Sequence, residues 1–256
     1  MNIEAVSVCV GYADFLSETA RCNLGLFDHW LIVTEPGDHA TREVCRQFNL
    51  RCILSDDGRR HGSPFSKGRL IERGLQHLSA DGWRLHIDAD IALPHDFRHR
   101  LRAADLQTDT IYGCDRLMVK SWDEWQWLKA SGYLNGGQFD YHCRMGMPKG
   151  IEIGTRWNHP QFGYVPIGFF QLWHSSEDEW RGIRVKPYPM NHGNACRTDV
   201  QHALQWDRHK RQIIPEFAAV HLESEPAPKG ANWKGRTTMP FGPSTKARGF
   251  VDPAGS

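Results

Sequence analysis

The chain has 256 residues, of which 40% are apolar and 24% charged, with a formal net charge of +1 at pH 7. These values suit a soluble globular protein of one large domain or two small ones, and a charge so near zero gives no global reason to expect a nucleic-acid or membrane partner. Seven scattered cysteines, never spaced C-x-x-C, argue for reduced thiols in a cytosol rather than a disulfide frame or a thiolate zinc site.

The first residues carry neither a basic n-region nor a long apolar h-region, and no apolar run approaches the roughly 18 residues of a membrane span. A soluble cytoplasmic protein is the expectation. In chain order, residues 5–10 read as a buried strand ending in Gly11-Tyr12, and residues 12–27 contain a helix with apolar positions at Phe15, Leu16, Ala20 and Leu24. Residues 29–34 form a second strand, stopped by Glu35-Pro-Gly-Asp38. Residues 41–48 are a short helix, 51–54 a third strand, 66–79 a helix with Leu70, Ile71, Leu75 and Leu78 on one face, and 83–87 a fourth strand. This β-α-β-α alternation implies an α/β fold with a mostly parallel central sheet covered by helices on both faces. Ligands then bind beyond the carboxyl ends of the strands.

The middle, from about 115 to 180, is rich in glycine and aromatic residues and holds six of the ten tryptophans. Within it residues 165–173 read as a further strand. Residues 197–206 start a helix that Thr198 or Asp199 can cap, and 215–221 form a last short strand. From Glu225 onward proline, glycine, lysine and arginine replace aliphatic residues, as in a flexible basic tail or lid over 225–256. Neither an internal repeat nor a low-complexity tract is present.

The most informative stretch runs from Trp83 to Pro94, where an apolar run ends in Asp88-Ala-Asp90. Side chains at i and i+2 of a strand share a face, so these two carboxylates can reach one hard cation such as Mg²⁺ or Mn²⁺, which is commonly shared with substrate phosphates. The bland alternative is two solvated acids in a turn.

Several features in this order resemble the nucleotide-sugar-dependent glycosyltransferases of the GT-A fold, near the family-2-like group. They are the opening strand into Gly11-Tyr12, the helix from Phe65 to Leu75 leading to Asp81-Gly-Trp83, the strand ending Asp88-Ala-Asp90-Ile-Ala-Leu-Pro94, and Val220-His221-Leu222 followed by residues 229–235. The resemblance implies a Rossmann-like catalytic domain over 1–224, with a nucleotide-sugar-binding half (1–114) and an acceptor half (115–224). By it Asp90, helped by Asp88, binds a divalent metal that bridges the donor's phosphates, and His221 matches a third protein ligand. Gly11 and Tyr12, with Thr34 and Glu35, flank the nucleoside, Asp56 or Asp57 contacts the base, and Lys67 lies where the donor-site helix begins. Asp199 matches the general base of inverting members. It stands in Arg197-Thr-Asp199, without the acidic pair or triplet of the fuller pattern, which leaves the base and the stereochemistry open.

Transfer from a nucleoside-diphosphate sugar, with a UDP-type donor favoured, needs charge neutralisation on the leaving diphosphate and deprotonation of an acceptor hydroxyl. Trp173 and His174 are the candidate acceptor platform, since aromatic faces stack on sugar rings. Trp122, Trp125 and Trp127 are equally packing residues. Lys229, Trp233, Lys234 and Arg236 can fold over the diphosphate as a lid, or belong to a solvated tail. Glu177, Asp178 and Glu179 form a competing acid cluster that reads more simply as a capped first turn. His142, Cys143, His159 and Cys196 match no zinc-ligand spacing. Two rival functions remain: a sugar nucleotidyltransferase, against which residues 11–15 lack a Gly-rich basic loop, and a non-catalytic nucleotide- or carbohydrate-binding module. The acceptor is open among a glycan, a lipid-linked sugar, a protein and a modified base in DNA.

Overall fold

The structure, a computed structural model, describes residues 1–79, 81–136, 151–177, 179–180, 183–226 and 228–243. The first strand, β1 (Ile3–Val8), is buried along its whole length, and its alternate side chains enter two separate apolar clusters. Ile3 and Ala5 join Leu16 and Ala20 of α1 (Ala13–Asn23) and Val44 of α2 (His39–Gln47), whereas Val6 and Val8 join Leu70, Ile71 and Leu75 of α3 (Lys67–Leu75). A strand with helices on both faces has to be apolar on both, hence the near-continuous apolar run in its sequence.

β2 (His29–Thr34), β3 (Arg51–Leu54) and β4 (Trp83–Ile87) join β1 in parallel, in the spatial order β3-β2-β1-β4. The chain steps outward from β1 to β3 and then crosses to the other side of β1. That reversal is a topological switch point, and open α/β sheets bind ligands at such points, here beyond the ends of β1 and β4.

After β4 the sheet becomes mixed. The chain continues through β5 (Ile91–Ala92), α4 (Phe97–Ala103), β6 (Ile111–Val119), α5 (Trp122–Ala130), β7 (Glu152–Ile153), a small hairpin of β8 (Asn158–His159) and β9 (Gly163–Tyr164), and β10 (Phe170–His174). A two-stranded ribbon of β11 (Glu179–Trp180) and β12 (Ile183–Arg184) precedes α6 (Thr198–Ala203) and the long β13 (Arg211–Leu222). The full order is β3-β2-β1-β4-β10-β6-β13-β5, with β7 on β6. β6 and β13 are parallel, while β10 runs antiparallel to both of its neighbours, β4 and β6. The parallel reading therefore describes the first four strands and the β6–β13 pair, and β10 interrupts it. β13 slips register between Ile214 and Ala218, around Pro215, which has no N–H to offer the ladder.

Within the segment expected to be a flexible tail or lid, residues 236–241 are docked on α1. Arg236 ion-pairs with Asp14 of α1 (2.5 and 2.8 Å) and donates to the Gly11 carbonyl (2.8 Å). Phe241 is buried, its ring 4.8 Å from Phe15 and 5.6 Å from Trp122. No helix among the described residues is long and apolar enough to cross a membrane.

The placement of α3 depends on Gly74. A Cβ there would lie 2.5 Å from Val6 Cγ1 and 2.8 Å from Val33 Cγ2, so the helix rests directly on β1 and β2. Gly74→Ala gains about 1 kcal/mol of helix propensity but overpacks a β-branched wall, which costs typically ~1–3 kcal/mol. Urea unfolding is expected to show a net loss of about 1 kcal/mol, with the midpoint moving to lower denaturant.

Candidate active site

The turn after β4 carries the two carboxylates, and its backbone is tied to two other strands. Asp88 N donates to Phe169 O (3.1 Å), Ile91 N to Asp88 O (3.2 Å) and Leu222 N to Asp90 O (2.9 Å). Ile91 pairs with His221 across β5 and β13. These bonds bring together residues far apart in sequence, with the Asp88, Asp90 and His221 side chains only 22%, 15% and 14% exposed.

Asp88 forms an ion pair with Lys67 at the first turn of α3, and His86 Nε2 lies 3.4 Å from the same Asp88 oxygen. Asp90 Oδ2 lies 3.5 Å from His221 Nε2. On the other side of that ring, Arg116 Nη1 donates to His221 Nδ1 at 3.0 Å. A guanidinium can only donate, so Nδ1 is the acceptor, and in a neutral ring the proton sits on Nε2, facing Asp90. The Arg116 guanidinium also lies 4.7 Å over the Phe169 ring.

The electrostatics separate the two acids. Burial pushes the Asp88 carboxyl above its ordinary value, with the nearby Asp90 charge adding to the effect and Lys67 opposing it. Asp90 suffers the same burial but is held below its ordinary value by His221 and, further off, Lys67. Lys67 is raised: burial works against its charge, and Asp88, Asp199 and Asp90 outweigh it. Burial, reinforced by the Lys67 and His202 charges, drives His86 well below its ordinary value, so it is neutral.

The oxygen donors of Asp88 and Asp90 are of the kind that hard divalent cations take. Asp90 Oδ1 is buried and has no hydrogen-bond partner among the described residues. A buried carboxylate oxygen in that condition is costly unless something binds it. No group of three or more His, Cys, Asp or Glu side chains among the described residues forms a ready metal cage. Mg²⁺-type ions typically take one or two carboxylates and complete their shell with water and substrate phosphates, so Asp88 and Asp90 fit such an ion. His221 is brought beside Asp90, but with both ring nitrogens engaged it is a partner of the acid in this arrangement rather than a free ligand.

The other expected residues divide. Gly11 follows β1 with a positive φ of 71°, and its N–H donates to Asp38 Oδ2 (2.7 Å). Thr34 is fully buried, and its hydroxyl is spent on the same Asp38 oxygen (3.1 Å), so it ties the loop rather than facing a nucleoside. Glu35 pairs with Arg59 (2.7 Å), and Asp57 accepts from Ser55 Oγ (2.8 Å) and pairs with Arg60 (2.8 Å). All four stand at the carboxyl ends of β1, β2 and β3. Tyr12 lies under the Arg236 guanidinium (4.8 Å), and burial followed by the Asp90 charge pushes its phenol up.

Asp199, in the first turn of α6, accepts from Gly168 N at 2.5 Å, and a Cβ on Gly168 would lie 2.7 Å from its own. It is half-buried, and its charge reaches Lys67. Trp173 and His174 require correction as an acceptor platform. Trp173 is 0% exposed, with His202 4.8 Å and Trp206 6.3 Å from its ring centre, and His174 packs on Trp83, at the start of β4. Because β10 runs against β4, pairing Phe170 with Ile87 and His174 with Trp83, its carboxyl end points away from Asp88. Trp125 is likewise fully buried, while Trp127 is exposed. Lys229, Trp233 and Lys234 are exposed, and Arg236 is the tail cation that reaches Gly11 and Tyr12. His142, Cys143 and Asp178 lie outside the described residues.

Sequence reasoning missed Arg116, Asp38 and a buried network joining the surroundings of Asp88 and Asp199. Tyr188 Oη lies 3.2 Å from His86 Nδ1 and donates to Gln171 Oε1 (2.8 Å), and Gln171 Nε2 donates to the carbonyls of Pro166 (2.8 Å) and Asp199 (2.9 Å). One signal was present: His86 sits two residues before Asp88 and so shares its strand face. Tyr188→Phe leaves two buried partners short of a hydrogen bond, which costs about 1–3 kcal/mol. Chemical denaturation is expected to show that loss, and retained stability would mean that the hydroxyl bridges nothing.

No family model and no curated protein matches the chain. Among solved structures, it is similar to mannosyl-3-phosphoglycerate synthase from Rubrobacter xylanophilus, at 16% identity over 47% of this chain, with a TM-score of 0.36; there the chain spans only 41% of the other protein. It is also similar to glucosyl-3-phosphoglycerate synthase from Mycobacterium tuberculosis in complex with Mn²⁺, UDP-glucose and phosphoglyceric acid. That match has 10% identity, covers 89% of this chain and 73% of the other, and has a TM-score of 0.47.

Proposed function

We propose that the chain is a glycosyltransferase that moves a sugar from a nucleoside-diphosphate donor, of UDP or GDP type, to a hydroxyl acceptor. The observation that carries this reading is the Asp88–Asp90 turn at the switch point between β1 and β4, with Lys67, His221 and Arg116 converging on it from α3, β13 and β6. Asp88 and Asp90 would hold a Mg²⁺ or Mn²⁺ ion, which supplies Lewis-acid stabilisation of the leaving diphosphate. Lys67 and Arg116 add fixed positive charge beside it, where the low dielectric of a buried site strengthens each interaction with phosphate oxygens. Tyr12 and the loop residues Gly11, Glu35 and Asp57 flank the nucleoside. Arg236, docked on Gly11 and Asp14, closes the crevice on that side. Asp199 takes the acceptor proton as general base, held in orientation by its bond from Gly168 N.

A nucleotidyltransferase is disfavoured by the loop after β1. Its Gly11 N–H is committed to Asp38, and the cation beside it, Arg236, is committed to Asp14, so little remains to grip a triphosphate.

Calorimetric titration of UDP and GDP, with and without Mn²⁺, tests the donor and the ion together. Binding is expected to strengthen with Mn²⁺ in the wild type and to lose that dependence in Asp88→Asn/Asp90→Asn. Equal binding with and without the ion would refute the metal role, and absence of Mn²⁺-dependent donor hydrolysis would favour a pure binding module. In a second measurement, Asp199→Asn is expected to lower transfer by roughly 10²–10⁴-fold, the usual contribution of a general base. Donor affinity should remain at the wild-type value. A variant with full turnover excludes Asp199 as the base.

A further inference from the structure

A cavity of about 370 Å³ is walled by Arg156, Asn158, Tyr164, Arg211, Gln212 and Ile213. It lies at the starts of β6 and β13, the end of the sheet opposite Asp88 and Asp90. Along β13, Arg211 pairs with Ile111 and His221 with Met118, seven residues further along β6. At about 3.3 Å per residue the two ends are roughly 23 Å apart.

Arg211 opens β13 and is 7% exposed. Its Nη2 donates to Phe162 O (2.7 Å), while Nε and Nη1 are buried without a hydrogen-bond partner among the described residues. A guanidinium carries five N–H donors in a fixed fork and is always charged, so leaving two of its nitrogens buried and unsatisfied is expensive. The neighbouring charges do not relieve it. Arg156 is committed to Asp115 by two bonds of 2.7 and 2.6 Å, and Lys210 is paired with Asp109. Arg208 lies against the β8–β9 hairpin, its Nε 2.7 Å from where a Cβ on Gly163 would be. Burial and then the Arg208 charge hold Arg211 below its ordinary value, with Asp207 acting in the opposite sense. Arg211 thus keeps a buried charge on the cavity wall, with the Arg208 charge acting against it and Asp207 in its favour.

We propose that this cavity is a second ligand site, for the phosphate group of a small phosphorylated metabolite, with the buried Arg211 fork as its anchor and, as a second cation, the exposed Arg208 lying against the hairpin that carries Asn158 and Tyr164. The Arg fork matches a phosphate bidentately, and a phosphate monoester brings a charge of about −1.5 to −2, suited to two guanidiniums. The cavity is open on one side and far larger than a bare ion needs, so the rest of the metabolite has room beside Asn158 and Gln212. The site is separate from the donor crevice and stands whether or not the chain transfers sugar.

The test is calorimetric titration of the full chain, without metal, with inorganic phosphate, ribose 5-phosphate and succinate. Saturable binding of ribose 5-phosphate is expected, tighter than that of phosphate and much tighter than that of succinate. Arg211→Met should weaken it by roughly tenfold or more, as for loss of a charge-assisted bond. Should that buried substitution unfold the chain, Arg208→Ala alters only an exposed side chain and should still weaken binding severalfold. The proposal is overturned by the absence of saturable phosphate-ester binding, by succinate binding equally well, or by wild-type affinity in Arg208→Ala.

Discussion

The main chain between Asp88 and Ile91 is held from three sides: by its own turn, by Phe169 ahead of β10 and by Leu222 at the end of β13. A loop at the end of a parallel strand is ordinarily free to move. This one cannot shift without breaking main-chain bonds to two other strands, so the two carboxylates inherit the rigidity of the sheet. Around them charge is balanced by residues that arrive separately. Lys67 comes on the first turn of α3, which lies so close to β1 and β2 that a Cβ on Gly74 would clash with Val6 and Val33. His221 comes on β13, and Arg116 on β6 behind it.

Burial makes that balance consequential. A carboxylate so little exposed is tolerated only if paired, and removal of one member leaves the others uncompensated. The pairing is also unequal: Asp88 leans on a lysine and Asp90 on a histidine, and their proton affinities move in opposite directions. Two acids one residue apart are thereby given different electrostatic characters by neighbours that the local sequence does not contain.

The reversed β10 has an equally large effect. Its antiparallel course delivers Gly168 and Phe169, rather than Trp173 and His174, to the crevice. Gly168 then fixes Asp199, and Phe169 supports Arg116 and lies near the His221 ring, 6.4 Å between centres. Trp173 goes instead into the core beneath α6, beside Trp206. An aromatic residue at the end of a strand was a fair candidate for a binding platform. Only the direction of the strand decides which end meets the ligand.

Periodicity and turn signals in residues 1–92 determined the first four strands, their intervening helices and the position of Asp88-Ala-Asp90 at a strand end, because parallel strands buried on both faces leave an apolar run that local sequence displays directly. The strand β6 was not legible: Gly113, Asp115 and Arg116 interrupt its apolar pattern, and they are accommodated only because Tyr164 packs on Gly113, Arg156 pairs with Asp115 and His221 receives Arg116. The docking of residues 236–241 was hidden for the same reason, since the basic, proline-containing segment reads as a solvated tail until Asp14, Gly11 and Phe15 are brought beneath it. Sequence alone therefore settled that two acids stand just past the end of one strand. Tertiary structure decided which cations face them, which end of β10 reaches them and which aromatic residues are buried, because each of those depends on contacts between segments that no local pattern encodes.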